Sequence, residues 1–194
     1  MNKYEILYGE KMDRRQRKTR EAIFKAFGDL LAKKNYNDVT VGEIIERADV
    51  GRATFYSHFE TKDHLLSELC AELFCHIFDS LENKNNEHRH IFECDAPQSV
   101  FLHLFRHIQK NDNGLLRLMS CENNELFLSY FKANLKRLIE KQLHVFNEKR
   151  PPEVDGSLWI HHICSTFTET LRWWLDNGKR ETPETLAAYF EALI

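Results

Sequence analysis

Glycine and proline are scarce, seven and four residues in a chain of 194. That leaves too few tight-turn positions for a fold of many short strands. Long apolar runs are missing too: no stretch approaches the ~20 residues a membrane-spanning helix needs, so no membrane partner is expected. The first residues carry Lys3, Glu5, Glu10 and Lys11 where a secretion signal would carry an apolar stretch, which points to the cytoplasm. Cysteine is present at 70, 75, 94, 121 and 164, an odd number with no Cys-x-x-Cys spacing, which argues against a disulfide framework or structural zinc. Neither a glycine-rich phosphate loop nor a Gly-x-Ser-x-Gly elbow occurs. The scattered Asp, Glu and His form no recognisable catalytic set. No catalytic residue, cofactor or metal is assigned, and the chain is not read as an enzyme.

What is present is helix. Hydrophobic residues make up 42% of the chain, with 14 Phe and 3 Trp, enough to bury a core through aromatic packing. In residues 40–59, Thr40 followed by Glu43 has the spacing of a capping box. Val41, Ile44, Ile45 and Ala48 then recur as one helical face. Asp49-Val50-Gly51 breaks the period: Asp49 suits a turn, Gly51 gives the next segment a flexible start, and Val50 plugs the angle between two helices. A second helix over Arg52–Phe59 turns Phe55 and Phe59 inward. Arg52, Ala53, Thr54, Tyr56, Ser57 and His58 are left outward. An outer face of small residues, hydroxyls and one Arg suits a polar partner better than packing, and a helix-turn-helix sets such a helix in the DNA major groove. Arg52 can bridge guanine O6 and N7 or hold a phosphate.

Net charge is −3, but 13 Lys/Arg against 11 Asp/Glu fall in residues 1–65, and 14 against 19 in residues 66–194. Arg14, Arg15, Arg17, Lys18 and Arg20 crowd the start of a helix expected over residues 14–34. Positive charge there opposes the helix dipole, and a DNA backbone would account for it.

The run Ala48-Asp49-Val50-Gly51-Arg52-Ala53-Thr54-Phe55-Tyr56-Ser57-His58-Phe59, followed by Thr61-Lys62-Asp63-His64-Leu65 and preceded by Thr40-Val41-Gly42-Glu43-Ile44-Ile45, resembles the signature of the tetracycline-repressor (TetR) family over roughly residues 14–65. Members usually carry Ser where Gly51 stands and often Gly where Ala53 stands, so one capping or phosphate contact is missing here. The resemblance implies an all-α fold of about nine helices: a three-helix helix-turn-helix domain at 14–65 after a mobile lead at 1–13, and a larger helical domain at 66–194 for dimerisation and effector binding. It also implies a phosphate contact for Lys62. Arg52, Ala53 and Thr54 are then expected at base edges. Arg14, Arg15, Arg17, Lys18, Thr40, Tyr56 and Lys62 are expected at phosphates and His58 at either, while Ser57 is a DNA-facing candidate whose target stays open.

Beyond Thr61, a cap for a helix starting at Lys62, apolar periods place helices over 62–81, 97–110, 115–120, 124–148, 156–177 and 183–193. Polar connections are expected at 83–96 and 111–114. Phe101, Phe105, Met119, Phe127, Tyr130, Phe131, Trp159, His162 and Thr166 are candidates to line an effector cavity. The last two helices carry more apolar surface than one stripe each requires, so Trp173, Trp174, Leu186, Tyr189, Phe190 and Leu193 are candidates for a homodimer interface. A dimer would read a palindromic operator.

The pair His103/His107 has chelating i, i+4 spacing, but no Glu completes a His-Glu-x-x-His pattern. His161-His162 beside Cys164, Cys75-His76 near Cys70, and His88/His90 are weaker clusters. The reading is a homodimeric repressor released by a small-molecule effector. A DNA-binding activator or coactivator controlled by a partner protein, and a thiol-based redox sensor, stay open as alternatives.

Overall fold

The computed structural model describes residues 13–82, 99–110, 118–119, 125–141, 146 and 148–194; of residues 75–82 and 110 it describes the helical backbone alone. Among the described residues there are eight α-helices and no β-strand: α1 Arg14–Leu31, α2 Val41–Ala48, α3 Arg52–His58, α4 Lys62–Glu82, α5 Val100–Lys110, α6 Glu125–Lys141, α7 Gly156–Asp176 and α8 Pro183–Leu193. A 3₁₀ turn at Tyr36–Asp38 joins α1 to α2. An N-terminal helix-turn-helix domain leads through α4 into a C-terminal helical domain. The expected lead, apart from Asp13, and the connections at 83–96 and 111–114 lie outside the described residues.

α1 buries Ile23, Phe24, Phe27 and Leu31, each worth roughly 1.5–3 kcal/mol when removed from water. It ends at Leu31 rather than Lys34, because the N–H groups of Ala32, Lys33 and Lys34 turn back to the Gly28 and Leu30 carbonyls at 2.9–3.0 Å. α2 starts on the expected capping box. The Glu43 N–H donates to Thr40 Oγ1 at 3.3 Å, and the Thr40 N–H donates to Glu43 Oε2 at 2.9 Å.

The break between α2 and α3 turns at Asp49, as expected. Asp49, not Gly51, takes the left-handed conformation (φ 52°, ψ 49°), and Gly51 sits at φ −72°. Asp tolerates this region because its short polar side chain can bond locally. α3 stops at His58, and Phe59 is extended.

α4 has 21 residues, about 30 Å at 1.5 Å per residue. It packs against α6 and α5. Leu65, Leu66 and Leu69 are buried near its start, and Phe74 meets Phe131 of α6 at 5.2 Å farther along. α5 is capped by Ser99, whose Oγ accepts the Leu102 N–H at 3.4 Å; the expected start at Pro97 lies outside the described residues. Of the segment expected at 115–120, Leu118 and Met119 are described and helical. The helix expected over 124–148 is seen as α6, with 142–145 and 147 outside the described residues.

α7 is capped by Asp155, whose carboxylate accepts from the N–H groups of Ser157 and Leu158 at 2.8 and 3.3 Å. α8 is capped by Thr182 and begins with Pro183, whose missing N–H costs nothing at a first helical position. The C-terminal core centres on Phe167. Its ring lies 4.7 Å from Phe105, 5.2 Å from Phe101, 5.4 Å from Phe190 and 6.4 Å from Phe131.

Candidate nucleic-acid interface

Phe55 and Phe59 anchor α3. Both are fully buried, with ring centroids 5.9 Å apart, and Phe59 also meets Phe24 of α1 at 5.4 Å. Burying these two positions turns the rest of α3 outward. Arg52, Ala53, Thr54, Tyr56 and Ser57 are all exposed, and His58 is half-buried. No side chain caps α3, because Gly51 has none to offer. Ser57 Oγ donates to the Thr54 carbonyl at 2.7 Å, so its proton is spent within the helix while its oxygen can still accept. The His58 imidazole is held below its ordinary pKa by burial first and by the Arg20 charge second, which favours the neutral ring.

The start of α1 lies beside this helix-turn-helix. Arg14, Arg15, Lys18 and Thr19 border a cleft of about 530 Å³ whose other wall is Ala48, Asp49 and Val50, at the turn between α2 and α3. Among the described residues, Arg14, Arg15, Lys18 and Arg52 pair with no carboxylate. Arg17 makes only an exposed contact of 3.5 Å with Glu21, a pair that contributes little and yields easily to another anion.

Three expected contacts are placed differently. Arg20, the last of the basic run, turns inward: it meets Glu68 of α4 at 3.0 Å and lies 5.1 and 4.9 Å from the ring centroids of Phe24 and Phe59. Thr40 is exposed, but its N–H and its hydroxyl both donate to Glu43 Oε2 at 2.9 Å, which leaves no donor for a phosphate in this conformation. Lys62 Nζ donates to the carbonyls of Tyr36 and Val39, each at 2.8 Å. Sequence reasoning missed this last set because a lone Tyr in a polar connection carries no periodic signal.

The C-terminal candidates divide by burial. Phe101, Phe105, Met119, Phe127, Phe131 and Trp159 are buried, and the Phe rings meet one another in the core. Tyr130 is half-buried. Trp159 Nε1 donates to the Phe146 carbonyl at 3.1 Å. His162 is exposed and stacks on Trp159, and half-buried Thr166 borders an outer groove. His162 and Thr166 therefore do not share an enclosed space with the buried rings.

The six interface candidates divide as well. Trp174, Leu186 and Phe190 are fully buried within the chain, with Trp174 Nε1 donating to the Glu181 carbonyl at 2.8 Å. This corrects their assignment to an outer face. Trp173, Tyr189 and Leu193 are 44%, 48% and 62% exposed. They border a groove of about 780 Å³ between α7 and α8, together with Ser165, Thr166, Glu169, Thr170 and Ala192.

His103 and His107 are buried, with ring centroids 4.9 Å apart. Among the described residues no group of three or more His, Cys, Asp or Glu could hold a metal. Burial pushes the thiol of Cys70 well above its ordinary pKa and that of Cys164 to about 11, so both stay protonated and unreactive. Cys94, Cys121, His88 and His90, and the side chains of Cys75 and His76, lie outside the described residues. No helix among the described residues is long and apolar enough to cross a membrane.

Comparison with known proteins bears on this geometry. A family model described as "Bacterial regulatory proteins, tetR family" matches residues 20–69, and one described as "Transcriptional regulator C-terminal region" matches residues 95–194. The chain is 28% identical over 191 residues to YxbF of Bacillus subtilis, described as an uncharacterized HTH-type transcriptional regulator; the match covers 93% of this chain and 46% of that protein, so the chain spans about half the length of that relative. It is 28% identical over 139 residues to DhaS of Lactococcus lactis, the HTH-type dhaKLM operon transcriptional activator, covering 72% of this chain and 67% of that one. The crystal structure of a TetR transcriptional regulator from Streptococcus agalactiae matches with a TM-score of 0.67 at 31% identity, over 92% of this chain and 94% of the other.

Proposed function

The chain belongs to the TetR family of transcriptional regulators, and from that premise we propose that it is a homodimeric, sequence-specific DNA-binding repressor acting in the cytoplasm. One observation carries the reading: an exposed polar face on α3, held outward by Phe55 and Phe59, stands beside Arg14, Arg15 and Lys18, which pair with no carboxylate among the described residues. In this reading Arg52, Ala53 and Thr54 approach base edges. Tyr56, Arg14, Arg15, Arg17 and Lys18 hold phosphates, and Ser57 and His58 border the groove. The reader occupies residues 14–65 and the dimerising and effector-responsive part residues 66–194. The α7–α8 groove with Trp173, Tyr189 and Leu193 is the surface for the second protomer, and a two-fold dimer calls for a palindromic site.

Release by a small-molecule effector acting on residues 66–194 completes the repressor reading. An activator controlled by a partner protein is the second reading. The ring-on-ring packing around Phe167 favours it, since that part of the core is filled, and DhaS is named as an activator.

Fluorescence anisotropy on a duplex pool, read across rising salt, tests the DNA-binding surface. Four cationic phosphate contacts from each of two protomers, by Arg14, Arg15, Arg17 and Lys18, predict a slope of log K against log salt of about −7. A flat salt response would remove α1 and α3 from the account. Sedimentation of Leu193→Glu tests the dimer: a chain that stays dimeric would move the interface elsewhere.

A further inference from the structure

We infer that Lys62 is a positioning residue of the DNA-reading domain, clamping the α1–α2 connection to the start of α4, and that its ammonium does not contact DNA. The inference rests on the DNA-binding reading above. Lys62 is the first residue of α4, where a cation opposes the helix dipole and so calls for compensation. The compensation is internal. Two carbonyl oxygens, of Tyr36 and Val39, accept from Nζ at 2.8 Å each, and Nζ stands 4.2 Å from the centroid of the Tyr36 ring. Lys62 thus spans the 3₁₀ turn Tyr36–Asp38 from outside.

The next residue holds the other end of the same tyrosine. The Tyr36 phenol donates to the Asp63 carboxylate. Burial and this carboxylate hold the phenol pKa far above its ordinary value, so it stays protonated and keeps donating. Partial burial lowers the Lys62 pKa, while Asp63 and then Asp38 oppose that shift. Consecutive residues of α4 therefore grip Tyr36 by its carbonyl, its ring face and its hydroxyl. The ring in turn meets Phe27 of α1 edge-on at 6.3 Å.

The clamp leads directly to the recognition unit. Val39, whose carbonyl Lys62 holds, is buried, and the next residue is Thr40, the cap of α2. Two turns along α4, Glu68 meets Arg20 of α1 at 3.0 Å. The start of α4 is thus tied to the helix-turn-helix at two places, and any rotation of α4 carries α2 and α3 with it. A Lys62 engaged in this way sets the attitude of α3 rather than adding a charge to the interface.

The test uses the full chain and a DNA duplex that the wild type binds. It compares Lys62→Arg, Lys62→Met, Tyr36→Phe and Arg15→Ala by affinity, salt slope and thermal unfolding. A phosphate contact would survive in Lys62→Arg, since guanidinium serves phosphate at least as well. The clamp would be distorted, because the one nitrogen that both carbonyls share at 2.8 Å would be replaced by a longer, planar group. We expect Lys62→Arg to bind several-fold more weakly and to unfold at a lower temperature. Lys62→Met should do the same with the wild-type salt slope, and Tyr36→Phe should shift affinity in the same direction. Arg15→Ala, which removes one contact from each protomer, should lower the slope by about 1.8 with unfolding unchanged.

Wild-type affinity and stability in Lys62→Arg, or a slope lowered by about 1.8 in Lys62→Met, would overturn the inference. If Lys62→Met does not fold, Lys62→Arg still decides. Absence of salt-dependent DNA binding by the wild type would overturn the underlying reading, and the inference with it; loss confined to the Lys62 variants would leave that reading standing.

Discussion

Around Phe59 in the N-terminal domain, packing is mixed. A guanidinium lies 4.9 Å from the ring, a carboxylate from α4 reaches that guanidinium, and His64 stands 6.1 Å from the same ring. Around Phe167 in the C-terminal domain the neighbours are rings: Phe101, Phe105, Phe131 and Phe190. In the DNA reader, where α2 and α3 have only eight and seven residues, charge pairs and clamps at the edges help fix the helix angles. Helices α4 to α8 meet through ring-on-ring contacts about Phe131 and Phe167. Polar ties hold direction as well as distance, which suits a surface that must match a groove. Ring packing holds volume.

The contrast can be broken by mutation, and the largest effect should come from the ring hub. Phe167→Ala should destabilise the chain by about 3–5 kcal/mol in urea unfolding; a cost near that of a surface substitution would show that the hub is not the centre of the core. Arg20→Met removes the charged partner of half-buried Glu68 and should cost about 2 kcal/mol. Adding Glu68→Gln to it should recover part of that loss, and a double variant as unstable as the sum of both singles would mean the two charges do not cooperate.

Asp49→Gly should stabilise by up to ~1 kcal/mol, because glycine takes a positive φ without penalty; destabilisation would mean that the Asp49 side chain makes a contact of its own. Lys18→Ala should leave unfolding within ~0.5 kcal/mol of wild type while lowering the salt slope of DNA binding by about 1.8, one contact from each protomer. An unchanged slope would place Lys18 outside the interface.

The smallest effect concerns acid. Glu43 has its pKa lowered from 4.5 to about 2, chiefly by Lys34 and then by the Thr40 backbone. A depressed carboxylate contributes stability above its unfolded value and loses it as pH falls, so the Glu43 contribution should fade between pH 4.5 and about 2. Glu43→Gln should flatten the stability curve in that window, and an identical acid limb in both proteins would contradict the assignment.

Much of this arrangement can be read from the chain. A cap followed by a helical period marks α2, α7 and α8, because hydrogen-bonding side chains at helix starts leave a local imprint: Thr40 with Glu43, Asp155 and Thr182. Phe55 and Phe59, four apart, gave α3 its inward face. What depends on distant partners was not legible. Arg20 and Lys18 differ by two positions in one basic run, yet only Arg20 lies under Phe59 and meets Glu68. Trp173 and Trp174 are adjacent on α7, and nothing local says which of them the Glu181 carbonyl holds in the core. Lys62 looks like a surface cation until Tyr36 is placed beside it.

The most direct measurement is selection of bound sequences from a random duplex pool by the purified chain at low salt. The account predicts one enriched palindrome whose half-sites are separated by about one helical turn or a multiple of it, lost in Arg52→Ala and retained at lower affinity in Lys18→Ala. Enrichment of a site without two-fold symmetry would contradict the dimeric reader, and no enrichment would contradict α3 as its working surface.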